Sequence, residues 1–130
     1  MDRVFLDANV LFSAAYRGDS SLRELWSRKD IELCTSHYAL EEAHRNLAEA
    51  SQRERLAKLS QKLRFYGAAD RELPRDVHLP VKDAPILLAA MEAEATHLLT
   101  GDMRHFGPYL GKRVAGIVIL APGDYLRKKR

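Results

Sequence analysis

The residues of this chain best placed to do chemistry are acids set in apolar surroundings. Asp7 follows Val4-Phe5-Leu6, a run too short for a helix and rich in strand formers, and precedes a mostly apolar helix over Asn9–Tyr16. Asp102 follows a second apolar strand, His97-Leu98-Leu99-Thr100, across a turn that Gly101 makes easy. Both carboxylates therefore fall at the carboxyl ends of expected strands, where open α/β sheets present ligand-binding groups. Asp83 stands at the N-cap of a helix running to Ala95 that is apolar on most sides, with Pro85 tolerated in its first turn. For Asp7 taken alone, a plain capping role is as good an account as ligand presentation, and for Asp83 a plain cap is the bland account. Glu41 and Glu42 lie on the helix after the second strand and point about 100° apart, so only one of them can face the sheet edge. Glu42 can reach it.

If these acids meet, their charges must be neutralised. Two like charges about 4 Å apart repel by roughly 4 kcal/mol at an effective dielectric near 20, so protons or a cation must intervene. A donor set made only of carboxylates suits Mg²⁺, with Mn²⁺ as the alternative. Zinc has no support: there is one cysteine, Cys34, in an apolar run, and none of the five histidines forms a pair at ligand spacing. His37 and His44 are two helical turns, roughly 10 Å, apart. A carboxylate-held pair of Mg²⁺ ions is a known device for in-line phosphodiester cleavage.

Alternating strands and helices must position these groups. After Asp7 and its helix come a turn at Arg17–Ser20, a helix over Leu22–Arg28, a strand over Ile31–Thr35 and, capped by Ser36, a helix over His37–Ala50. Arg53–Tyr66 reads as a further amphipathic helix, the most basic of the chain, with either a solvated face or a role in holding a phosphate backbone. Gly67–Pro80 is loop-like, with a short strand possible at Val77–Leu79. Lys112–Leu120 reads as one last strand, which Pro122 and Gly123 end. The alternation predicts a mostly parallel sheet with helices on both faces, its strand carboxyl ends on one rim. With 130 residues, 46% of them hydrophobic, the chain is expected to form a single domain over 1–130. The net charge of +3, partly in the tail Arg127–Arg130, is only a weak pointer to polyanion partners, and the tail reads as a solvated end. With no signal peptide and no apolar run long enough to span a bilayer, a soluble, cytoplasmic protein is expected, with no membrane partner.

Four segments, in order, resemble the PIN-domain ribonuclease family and its VapC-type toxins of toxin–antitoxin pairs. They are Leu6-Asp7-Ala8-Asn9-Val10-Leu11, Ser36 through Glu42 with Leu47, Asp83-Ala84-Pro85-Ile86-Leu87, and Leu98 through Phe106. The resemblance covers about residues 3–121. It implies a PIN-like three-layer α/β sandwich, with Asp7, Glu42, Asp83 and Asp102 as catalytic, metal-holding acids. Glu42 is preferred to Glu41 because it stands six positions after Ser36 and five before Leu47. Asn9 and Thr100 match polar positions that line the family's pocket. Many relatives carry another Asp three positions after the last acid, where this chain has His105; this favours one firmly held ion, with a second recruited by substrate. Arg104 and His105, beside the acids, are candidates for contact with RNA phosphate.

The resemblance implies a Mg²⁺-dependent endoribonuclease acting on single-stranded RNA, with a small antitoxin as partner and a homodimeric state. Three alternatives compete. A haloacid-dehalogenase-type phosphatase wants Asp-x-Asp after its first strand, and here the third position is Asn9. A receiver domain wants paired acids near the first strand and a late Lys before Pro, but Ala121 precedes Pro122. A PIN fold that binds RNA without cutting it is the third.

Overall fold

The structure, a computed structural model, describes residues 1–67 and 70–128; part of the expected 67–80 loop and the end of the basic tail lie outside them. Among the described residues, six strands form one sheet in the order β3-β2-β1-β4-β6-β5. They are β1 (Asp2–Leu6), β2 (Ile31–Thr35), β3 (Arg64–Phe65), β4 (His97–Leu99), β5 (Arg113–Val114) and β6 (Ile117–Leu120). Every pairing is parallel except β5 with β6. β1 lies inside the sheet between β2 and β4, with Phe5 opposite Cys34 on one side and Leu98 on the other. Val4, Phe5 and Leu6 are fully buried, which is why this strand is a continuous apolar run rather than an alternating one.

The helices are α1 (Ala8–Tyr16), α2 (Glu24–Ser27), α3 (His37–Asn46), α4 (Ala50–Ser60), α5 (Ala84–Glu92) and α6 (Pro122–Lys128). The crossovers from β1 to β2 and from β2 to β3 step in one direction along the sheet, and α1 packs against α3 and α4. The crossover from β3 to β4 steps back the other way, which the right-handed rule sends over the opposite face with α5. This is the expected three-layer, mostly parallel α/β arrangement. No described helix is long and apolar enough to cross a membrane.

Several elements depart from the sequence expectation. The helix expected over His37–Ala50 stops at Asn46: Leu47 turns to an extended backbone and is fully buried. The chain restarts at Glu49, whose N–H donates to Gln52 Oε1 as α4 begins. α4 in turn ends at Ser60, well short of Tyr66, because Arg64 and Phe65 add a parallel edge strand beside Cys34 and Thr35. Two of its cations act as tethers: Arg53 Nε donates to Leu47 O (2.8 Å), and Arg55 Nε to Ala15 O (3.0 Å), at the carboxyl end of α1. No strand forms at Val77–Leu79, although Val77 is buried and His78 N donates to Tyr109 Oη. The single strand expected over Lys112–Leu120 is a hairpin, turned at Ala115 (φ 52°) and Gly116 (φ 81°), with Val114 opposite Ile117. Positive φ at both central residues is the type I′ pattern that suits a two-residue hairpin. The last strand does end before Pro122, as expected, and Pro122 has a further role. It opens α6, whose Tyr125 and Leu126 are buried and whose Tyr125 Oη donates to Asp2 Oδ2 (2.8 Å).

Candidate metal centre

The first acid sits where the chain leaves the sheet. Asp7 follows β1 directly and is the N-cap of α1, with Oδ1 accepting from Ala8 N (2.7 Å). Capping occupies one oxygen only. Oδ2 accepts from Thr100 Oγ1 (2.8 Å) and from Asn9 Nδ2 (3.2 Å). Asn9 also accepts from Gly101 N through Oδ1 (2.7 Å), so it bridges the ends of β1 and β4. A Cβ at position 101 would stand 3.3 Å from that oxygen, which explains a glycine there. Thr100 is fully buried and accepts Asp102 N (3.0 Å), so one hydroxyl serves both acids.

Asp102 organises the turn that follows. Its Oδ1 accepts the N–H groups of Arg104 and His105 (3.0 Å each), which leaves Oδ2 facing the His105 ring, 3.0 Å from Nδ1. Asp83 occupies the N-cap position of α5 but makes no capping hydrogen bond. Its Oδ2 instead lies 2.9 Å from the same His105 Nδ1. One ring nitrogen carries at most one hydrogen, which the two carboxylates must share, and Asp83 Oδ2 is buried with no hydrogen bond of its own. Plain capping is therefore excluded for Asp83. Asp83, Asp102 and His105 each bring a donor atom within 4.8 Å of the others, close enough to share one ion.

The electrostatics agree with that geometry. Burial raises the Asp7 carboxyl to about 6; the hydrogen bonds from Thr100 and Ala8 oppose the shift, and the charges of Glu42 and Asp83 add to it. Burial also raises Asp83, with His105 pulling down and Asp102 pushing up. At Asp102 burial pushes up as well, but the backbone N–H and ring of His105, helped by Arg104 N, hold it below the ordinary value. Glu42, half-buried on α3, acts on Asp7 and on Tyr38 through space and stands outside the tight trio. Arg104 is exposed beside the trio.

Two features escaped the sequence reading. The cluster is not made of carboxylates alone: the His105 ring turns inward to the acids. Its spacing from Asp102, three residues within one helical turn, was the available signal. Tyr38 Oη donates to Lys82 O (2.6 Å) and ties α3 to the approach to α5, a bond with no signature in the sequence. The buried Asp83 oxygen that accepts no hydrogen bond, the raised Asp7 and the Asp102 oxygen left facing the cluster fit a divalent cation.

These features define an α/β protein with a carboxylate pocket on the carboxyl rim of its sheet. A family model described as PIN domain matches residues 3–104, most of the chain, and the chain belongs to the PIN domain family. The fold is similar to a chain of VapBC2 from Rickettsia felis, solved bound to a DNA fragment from their promoter. The TM-score is 0.65 at 13% identity, over 92% of this chain and 98% of that one. No curated protein matches the sequence. Membership of the PIN family removes the phosphatase and receiver alternatives.

Proposed function

We propose that the protein is a metal-dependent endoribonuclease that cleaves single-stranded RNA, acting through a single domain over residues 1–130. The observation that carries this reading is the buried Asp83 oxygen, which accepts no hydrogen bond, beside Asp102 and His105 in a PIN-family chain. Asp83 and Asp102 hold the ion, with Asp7 and Glu42 supplying further negative charge around it. A bound Mg²⁺ or Mn²⁺ supplies Lewis-acid stabilisation of a phosphodiester and acidifies water. Thr100 and Asn9 fix the Asp7 carboxylate and lock the ends of β1 and β4 together, so the pocket is organised before substrate arrives. Arg104, exposed next to the acids, is positioned to meet a phosphate of the RNA backbone. The family resemblance and the VapBC2 neighbour together support a role as the toxin of a cytoplasmic toxin–antitoxin pair, with a small antitoxin protein as partner and a homodimeric state.

The test is cleavage of single-stranded RNA by the purified chain with Mg²⁺ or Mn²⁺. Asp7→Asn and Asp102→Asn are expected to lower the rate at least about a hundredfold, the usual scale for losing a charge-stabilising group, with circular dichroism unchanged. RNA retained but left intact by the wild-type chain would identify a binding module instead. Normal cleavage by both variants would refute the assignment of the acids.

A further inference from the structure

We infer that His105 is itself a ligand of the metal centre, making it a mixed nitrogen–oxygen site that prefers a first-row transition ion, Mn²⁺ among them, over Mg²⁺. The inference rests on the metal-centre reading above and narrows it. The two oxygens nearest the ring are the two that the rest of the structure leaves available. Asp102 Oδ1 is consumed by the N–H groups of Arg104 and His105, and Oδ2 is not. Asp83 Oδ2 is buried and accepts nothing. His105 Nδ1 stands 2.9 Å from the latter and 3.0 Å from Asp102 Oδ2.

Hydrogen bonding serves this arrangement poorly, because a single ring hydrogen must be shared between Asp102 and Asp83. A cation among the three atoms serves all of them. The spacing suits one: adjacent ligands about 2.1 Å from an octahedral ion stand about 3.0 Å apart. The nitrogen is thus at the distance of a neighbouring vertex from each of the two available oxygens. Two local features hold it there. The backbone N–H of His105 is pinned to Asp102, and the next residue, Phe106, is fully buried with its own N–H on Asp102 O (3.2 Å).

Selectivity follows from the donor. Mg²⁺ binds oxygen and water and gains little from imidazole, whereas transition ions accept imidazole readily. An imidazole also brings no negative charge to the site, and a hard ion held chiefly by charge feels that lack most.

The experiment uses the full chain stripped of metal by a chelator, with Mn²⁺ and Mg²⁺ as the probes. Pulsed electron paramagnetic resonance of the Mn²⁺-loaded protein is expected to show nitrogen coupling from one directly bound imidazole, absent in His105→Asp and His105→Asn. Calorimetric titration is expected to show the preference for Mn²⁺ over Mg²⁺ falling about tenfold in His105→Asp, where an acid replaces the ring. Mn²⁺ bound without nitrogen coupling, or an unchanged preference in His105→Asp, would overturn the ligand assignment and leave the nuclease reading standing. Failure of the wild-type chain to bind either ion would overturn both. The wild-type spectrum decides the matter even if the variants do not fold.

Discussion

Asp7 carries a folding cost that depends on pH, and its sign is fixed by the direction of its shift. Its carboxyl is raised to about 6 in the folded chain, chiefly by burial. Unfolded, it titrates near the ordinary value of about 4. Below about pH 4 both states hold the proton; between about 4 and 6 the unfolded chain releases it and the folded chain does not, so rising pH costs stability. The full loss, reached above pH 6, is at most about 3 kcal/mol. In chelator, urea unfolding is expected to show Asp7→Asn gaining on the wild type by about 2–3 kcal/mol between pH 4 and 7.5. A difference that stays flat with pH would refute the shift. Thr100→Val removes a donor from Asp7 and an acceptor from Asp102 N at a fully buried position, and is expected to cost about 1–3 kcal/mol in the same assay. At this scale the sequence was informative about Asp7, Asp83 and Asp102, because the residue after a buried strand or before a buried helix has few places to point. It was silent on the direction of the His105 ring, which a hydrogen-bonded turn at Asp102 determines.

At the scale of elements, chain segments that bury a continuous apolar run were readable, and segments decided by tertiary pairing were not. β1 and most of α5 were foreseen from their apolar runs, although α5 ends at Glu92 rather than at Ala95. β3 was not: Leu56, Leu59, Leu63 and Tyr66 continue a helical stripe, and only the free edge of β2 draws Arg64 and Phe65 into the sheet. The break between α3 and α4 had a signal in Glu49 and Gln52, spaced as a capping box, that the run of good helix formers masked. The β5–β6 hairpin was hidden because alanine at its first turn position gives no hint of positive φ. That mismatch makes a prediction. Ala115 is exposed, so Ala115→Asn, which creates the Asn-Gly pair favoured in such turns, is expected to stabilise the chain by about 0.5–1 kcal/mol, read as a higher melting temperature. Unchanged or lowered melting would count against the turn geometry.

Over the whole molecule, the parallel topology separates what binds from what braces. The acids share one rim of the sheet, while α6 runs back across it to anchor Tyr125 on Asp2, at the start of β1. Tyr125→Ala is expected to cost about 3–5 kcal/mol of stability, by the loss of a fully buried aromatic ring. Calorimetric affinity for Mn²⁺ at the distant rim should remain unchanged under conditions where the variant stays folded. A marked loss of affinity would show that the brace and the site are coupled. The bond from Thr100 N to Leu120 O and the clasp of Asn9 on Gly101 also set when the pocket can exist. A half-made chain on the ribosome has Asp7 but no Asp102 to set beside it, and no β6 to back β4. The acid cluster therefore takes shape only after β6 has cleared the exit tunnel and paired with β4.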